Sequence, residues 1–311
     1  MRTAILLATY NGERFLREQI SSLMDQTVSD FAVYIHDDGS TDGTRARIEE
    51  CRERFPGRIE LLEGAPTGSA KENFWYMLSC VEADVYFFCD QDDVWLPVKV
   101  EKEREALLAL GSMEAPGLVF SDMKVCGEDL SVMDDSFWHY IGRDAAALRV
   151  QRVIVDNPAA GTSMCFNRAL RDEAVRWSPD LSDVEMHDGL LLAMALLVGR
   201  VGRIDEGLVL YRQHGANEMG AARSETAWQR LVRNLSDLFS GRLAANKQEF
   251  VKLSKAAAAQ LSRIDALKAQ DRRMLKAYAN IDRMPKWQRI RFLKQNGFDR
   301  AKNTWWFYLW I

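Results

Sequence analysis

Short apolar runs of strand length alternate with stretches of helical period through the first half of the chain. AILLA (4–8), FAVYIH (31–36), IELLEG (59–64), VYFFCD (85–90) and LVFSDM (118–123) are ringed by Gly, Asp, Asn and Pro. Between them, ERFLREQISSLMDQ, TRARIEECRERF, ENFWYMLSCVEA and PVKVEKEREALLAL repeat apolar residues three and four apart. This β-α-β-α order predicts an α/β fold, a mainly parallel sheet with helices on its faces. Ligands of such sheets bind beyond the carboxyl ends of the strands, so the residues following each apolar run are the first place to look for chemistry. From about 150 the pattern mixes, with a strand at TSMCF (162–166), a helix at GLLLAMALLVG (189–199) and a strand at GLVLYRQ (207–213). After Gly220 it changes: residues 225–282 hold no Pro and only Gly241, and strong helix formers dominate. The expected organisation is an α/β domain over 1–222 and a helical C-terminal region over 223–311.

Composition narrows this little. A chain of 311 residues with 47% hydrophobic and 28% charged residues is ordinary globular protein, and a net charge of −4 argues against a general nucleic-acid-binding surface. Five cysteines without a CxxC pair make a zinc site or disulfide scaffold improbable and favour a reducing cytosol. The apolar run near the start spans five residues, too short for the core of a signal peptide, and no run reaches bilayer length. The segment 284–311 stands apart. Lys286, Arg289, Arg291, Lys294, Arg300 and Lys302 face a single Asp299 there, interleaved with Trp287, Trp305, Trp306, Tyr308 and Trp310. Such a segment suits an anionic membrane surface; the alternatives are docking on the catalytic domain or an oligomer contact.

Acidic residues crowd the strand ends. In CDQDDVW, Asp90, Asp92 and Asp93 follow the VYFF run, and crowding of this kind repels itself unless a cation or solvent neutralises it. Asp90 and Asp92 project to one side of an extended chain and suit Mg²⁺ or Mn²⁺; the plainer reading is a solvated turn with an Asp capping the next helix. In HDDGSTDGT, Asp38, Ser40, Asp42, Gly43 and Glu49 match EF-hand loop positions, but a strand-like run precedes them where an EF-hand needs a helix. That leaves a plain turn, or a loop whose carboxylates receive a base and ribose. Thr9, Tyr10, Asn11 and Glu13 stand at the same sheet edge, and no GxGxxG or P-loop occurs. Asp188 immediately precedes GLLLAMALLVG, where it serves as helix N-cap, as a base, or as both; His187 beside it serves as base or packs. Arg212 and His214 alternate onto one face.

Taken in order, ATYNGERFL, DDGSTDGT and CDQDDVW resemble family 2 nucleotide-sugar glycosyltransferases of the GT-A fold. Downstream, GTSMCFNR, MHDGLLLAMAL and YRQHGANEMG are similar to a bacterial rhamnosyltransferase-like subgroup that builds surface polysaccharides, so the resemblance spans about residues 2–220. It implies that Thr9, Tyr10, Asn11 and Glu13 line a nucleotide pocket and that Asp38 contacts the base. Asp90 and Asp92 would be the DxD pair holding Mg²⁺ or Mn²⁺ against the diphosphate, with Asp93 supporting that loop or touching the donor sugar. Arg212 and His214 fall where the family's closing loop meets the diphosphate, Arg212 as a donor-binding residue and His214 counted with the metal ligands. Asp188 takes the place of the catalytic base. The implied protein is an inverting, metal-dependent hexosyltransferase using a dTDP- or UDP-sugar and a glycan or polyprenyl-linked acceptor. It would work in the cytoplasm, peripheral on the inner face of the plasma membrane, without nucleic acid. The rival from another class is a catalytically inactive sugar-nucleotide-binding scaffold of the same fold.

Overall fold

A computed structural model describes residues 1–215, 242–300, 307, 308 and 311. The chain divides into two compact units, one from 1–137, 159–178 and 199–220, the other from 138–158, 179–198 and 221–311.

The first unit holds the sheet. Strands β1 (Thr3–Thr9), β2 (Phe31–Asp37), β3 (Ile59–Leu61) and β4 (Val85–Cys89) run parallel in the order β3-β2-β1-β4. Their crossovers carry α1 (Leu16–Met24), α2 (Thr44–Arg54) and α3 (Ala70–Cys80). Every residue of β1 and β4 is buried, as strands paired on both edges and covered on both faces must be. Next come β5 (Val94–Trp95), α4 (Lys99–Ala109), β6 (Gly117–Cys126), β7 (Val132–Asp134), β8 (Met164–Asn167), α7 (Arg168–Trp177) and β9 (Arg200–Arg212). Beyond β4 the sheet becomes mixed: β8 enters antiparallel between β4 and β6, β9 pairs parallel with β6, and β5 closes on β9 antiparallel. The sheet is therefore parallel on one half and mixed on the other.

Two departures from the sequence pattern have simple causes. The expected strand at 162–166 begins only at Met164 because Gly161–Ser163 form one turn of 3-10 helix. Helix α7 carries an apolar stripe too thin to read, yet Asn167 caps it by accepting the Leu170 N–H (3.1 Å) and also accepts the Gly117 N–H (3.0 Å) of β6. All five cysteines are free, Cys80 alone being exposed.

Helix α4 hides an ion pair that its charged sequence does not announce. Lys99 Nζ meets Glu103 Oε2 at 2.7 Å with both side chains fully buried, Ser121 Oγ donates to Glu103 Oε1 (2.7 Å), and the ammonium lies over the Trp95 ring at 4.2 Å. Burial pushes the Glu103 carboxyl up, against the pull of Lys99.

The second unit is helical. It contains α6 (Val150–Val155), α8 (His187–Val198), α9 (Arg242–Leu261), α10 (Ala269–Ala279) and α11 (Lys286–Asn296), while α5 (Phe137–Ile141) begins at the last residue of the first unit's opening segment. Helix α8 is apolar all round, which requires cover on several sides, and it packs on α6 and α9. Tyr278 stacks on Phe298 at 4.1 Å, and Phe298, Phe307 and Ile311 are buried. No helix among the described residues is long and apolar enough to cross a membrane.

The Lys99–Glu103 pair yields a stability prediction. Lys99→Met strands a buried carboxylate and lowers unfolding free energy by about 3–5 kcal/mol, whereas Lys99→Met with Glu103→Leu recovers most of the loss. Urea midpoints of the two variants measure the difference.

Candidate active site

Turns follow the carboxyl ends of β1, β2 and β4, and side chains stitch them together. Asn11 takes a left-handed backbone (φ 47°), which Asn tolerates, and its N–H donates to Ser40 Oγ (2.8 Å) while its Oδ1 accepts the Thr41 N–H (2.8 Å). The Gly12 N–H donates to Thr44 Oγ1 (2.8 Å). Glu13 accepts the Gly43 N–H (3.0 Å) and donates its own N–H to Asp42 Oδ2 (3.2 Å). Toward the acidic turn, the Tyr10 N–H donates to Gln91 Oε1 (2.9 Å) and Gln91 Nε2 returns a bond to the Tyr10 carbonyl (2.8 Å). A Cβ at residue 12 would displace that carboxamide, so glycine there leaves room for the Gln91–Tyr10 bonds. Asn11 and Glu13 thus serve the shape of the turns, and the Tyr10 ring stands 57% exposed.

The turn after β2 is fixed from within. Thr9 Oγ1 donates to Asp37 Oδ1 (3.1 Å), and Asp37 also accepts Ser40 Oγ (2.5 Å) and Arg45 Nε (2.9 Å). Burial raises the Asp37 carboxyl, but these bonds outweigh it and hold the group below the usual carboxylate range. Sequence reading passed over Asp37 because the EF-hand spacing starts one residue later. Asp38 accepts the Thr67 N–H, the Thr67 hydroxyl (2.9 Å) and the Gly68 N–H (3.0 Å). Its carboxylate therefore shapes the loop after β3, and any contact to a base is additional to that.

The acidic turn is closed from β9. Asp92 Oδ2 lies 2.7 Å from His214 Nε2, and the imidazole packs on Phe15 at 4.7 Å. The Arg212 N–H donates to Asp93 Oδ1 (3.0 Å). Its guanidinium donates to the carbonyls of Asp92 (2.7 Å) and Glu128 (2.5 Å) and to Glu18 Oε2 (2.5 Å). The alternation of Arg212 and His214 does bring both to the Asp92 turn. Arg212, however, is only 3% exposed and directs its guanidinium into the protein, because that buried charge needs acceptors on every side. Asp93 is enclosed as well: burial first, then the charges of Asp92 and Asp90, push its carboxyl well above the usual range against the pull of the Arg212 N–H and of Thr162, and its Oδ2 meets no donor among the described residues. Trp95 Nε1 in turn donates to Thr162 Oγ1 (3.2 Å).

Asp90 and Asp92 supply hard oxygens of the type that suits Mg²⁺ or Mn²⁺, and Asp92 Oδ2 is bonded directly to His214 Nε2. Among the described residues no three His, Cys, Asp or Glu side chains, these included, come together so as to hold a metal ion. The two carboxylates would suit only a cation that takes one or two protein ligands and completes its shell from substrate phosphates.

In the second unit α8 starts at His187, so Asp188 lies inside the first turn and is not the N-cap that its position before the apolar run suggested. A carboxylate there is favoured by the helix dipole. Its Oδ1 accepts the Gly189 N–H (2.5 Å) and Asn157 Nδ2 (3.2 Å). His187 is buried, and burial lowers its imidazole to about 3, so it is neutral and packs.

Residues 4–121 match the model of the family described as Glycosyl transferase family 2. A relative, the dTDP-rhamnosyl transferase RfbG of Shigella flexneri, is 26% identical over 249 residues, covering 73% of this chain and 79% of its own. Solved structures share the GT-A-like fold. TarS of Staphylococcus aureus in complex with UDP superposes with a TM-score of 0.58 at 17% identity, over 96% of this chain and 74% of that one. The mannosyltransferase PcManGT from Pyrobaculum calidifontis, in complex with GDP-Man and Mn²⁺, gives 0.53 at 16% identity over 95% and 74%.

His187 sets an acid limb of stability. The unfolded chain protonates this imidazole near 6.5 and the folded chain only near 3, so its contribution is complete above pH 6.5 and is lost as pH falls toward 3. His187→Leu flattens the dependence of the urea midpoint on pH across that window; an unchanged slope would show that the group is not buried neutral.

Proposed function

We propose that the protein is an inverting glycosyltransferase that moves a sugar, rhamnose foremost, from a nucleotide-sugar donor to a glycan or polyprenyl-linked acceptor in bacterial surface-polysaccharide synthesis. The observation that carries this reading is the acidic turn after β4, with Asp92 against His214 and Gln91 bonded to Tyr10 of the turn after β1. The base and ribose belong at the turns of Thr9, Tyr10, Asn11, Glu13 and Asp38, the diphosphate at Asp90, Asp92 and His214. A divalent cation held there offsets the charge that develops on the departing nucleoside diphosphate. Asp93 and Arg212 keep the turn in shape. Asp188 takes the proton of the attacking hydroxyl, and one such displacement inverts the anomeric centre. A second carboxylate flanking the bond would be a hydrolase's requirement. The name of RfbG supports a dTDP-rhamnose donor, and the UDP, GDP-Man and Mn²⁺ of the solved neighbours are ligands of the kind such a site would take. In this reading the catalytic domain runs over 1–222 and 223–311 is its appendage.

A membrane-surface role for the C-terminal segment belongs to the same reading. Trp287 (63% exposed), Arg291 and Lys294 recur four and three residues apart on α11, an exposed basic stripe with one aromatic anchor. Phe298, Phe307 and Ile311 are buried, so part of the segment docks within the protein, while Lys302, Trp305, Trp306 and Trp310 lie outside the described residues.

A thermal-shift series of dTDP-, UDP- and GDP-sugars with and without Mn²⁺ tests the donor site: dTDP-rhamnose with Mn²⁺ gives the largest rise, and a flat response to every sugar nucleotide overturns the reading. Asp188→Asn keeps size but cannot accept the proton, so turnover falls about 10²-fold with donor affinity and Tm unchanged. For the surface role, Arg291→Glu with Lys294→Glu releases the protein from anionic vesicles in flotation without moving Tm. Undiminished flotation of that variant removes α11 from the account.

A further inference from the structure

We infer that Asn157 is the positioning residue for Asp188, held in place by Arg143, Asp156 and Arg300; the inference rests on the reading of Asp188 as the base. Asn157 Nδ2 donates to Asp188 Oδ1 at 3.2 Å, and the same oxygen accepts the Gly189 N–H, so two donors from different segments set the plane of the carboxyl group. An amide suits this duty. It donates without titrating, and so does not compete for the proton that the base must take.

Asn157 is itself pinned. Its carbonyl accepts Arg143 Nη1, and Arg143 Nε lies 3.1 Å from Asp156 Oδ1. The same Asp156 oxygen is 3.4 Å from Arg300 Nη2, and the Arg300 guanidinium lies over the Phe250 ring of α9 at 4.7 Å. Asp156 is buried, and a buried carboxylate is stable only when paired, so removing either arginine loosens the residue next to Asn157. The fit at the helix start is close: a Cβ at Gly189 would stand 3.1 Å from Asn157 Nδ2. Residues 143, 156–157, 188–189 and 300 thus form one chain of contacts that ends on the carboxylate. General-base action requires a carboxylate lone pair within hydrogen-bond reach of the acceptor hydroxyl, and a misplacement of about 1 Å costs on the order of 10² in rate.

Asn157→Asp keeps the size of the side chain and replaces the donor by an acceptor, while Asn157→Ala removes both. Nucleoside diphosphate release is measured from dTDP-rhamnose, or from whichever screened UDP- or GDP-sugar gives the largest thermal shift, over a lipid extract of bacterial membranes. Both variants lower kcat by about tenfold to a hundredfold with donor KM unchanged. Arg300→Met lowers it in the same direction by a smaller factor. On an Asp188→Asn background, Asn157→Ala brings no further loss, since both substitutions act through one group. Wild-type kcat in Asn157→Asp, or losses that multiply in the double variant, overturn the inference while an inactive Asp188→Asn leaves the base reading standing. Wild-type turnover in Asp188→Asn overturns both. Should Asn157→Asp fail to fold, Asn157→Ala decides on the same readouts.

Discussion

The first unit is organised around a carboxyl group withdrawn from water, that of Asp93. Burial beside two like charges makes it reluctant to ionise; the Arg212 N–H donates to its Oδ1, while Oδ2 meets no donor among the described residues. That one bond brings the end of β9 onto the loop after β4. Arg212, brought there, then binds the Asp92 carbonyl, the Glu128 carbonyl and Glu18. One awkward group thus sets the position of the neighbouring Asp92 and of the histidine facing it.

The turns after β1, β2 and β4 show the same economy. Asn11, Glu13, Asp38 and Gln91 have the polar character expected of ligand contacts, yet each bonds to a neighbouring turn. A rigid cradle holds a bound nucleotide without ordering its own loops on binding, which removes one of the costs of association. Acidic and amide residues at a sheet edge can therefore serve function through shape.

Much of this fold was legible along the chain. Strands β1, β2 and β4 and helices α1 to α4 announce themselves because a buried parallel strand is a continuous apolar run and its crossover helix has a clear period. Strand β5 does not: it is two residues long and owes its place to Ser22 Oγ, which accepts the Trp95 N–H at 3.0 Å. Helix α7 hides Arg171, whose guanidinium donates to the carbonyls of Leu78 and Ser79, so a charge that reads as surface is interior. Lys99 and Glu103 mislead in the same way. At the site, the clustered acids were legible because like charges in succession need an explanation. The bonds of Glu18 to Arg212, Gln91 to Tyr10 and Asn157 to Asp188 were not, since a contact between residues far apart in sequence leaves no spacing to read.

Strand β9 sits between β6 and β5, and Arg212 at its end lies 119 residues after the aspartate it satisfies. The chain leaves the ribosome from its N-terminus, so the acidic turn emerges well before the strand that closes it. The segment that matches the family model, 4–121, contains the acids but neither Arg212 nor His214. A nascent chain that far along can pair β1, β2 and β4 and still cannot bury Asp93. Completion of the acidic turn is therefore a late event of biosynthesis, timed by the emergence of β9, and a chain interrupted before residue 212 would carry that turn without the Arg212 and His214 contacts that close it.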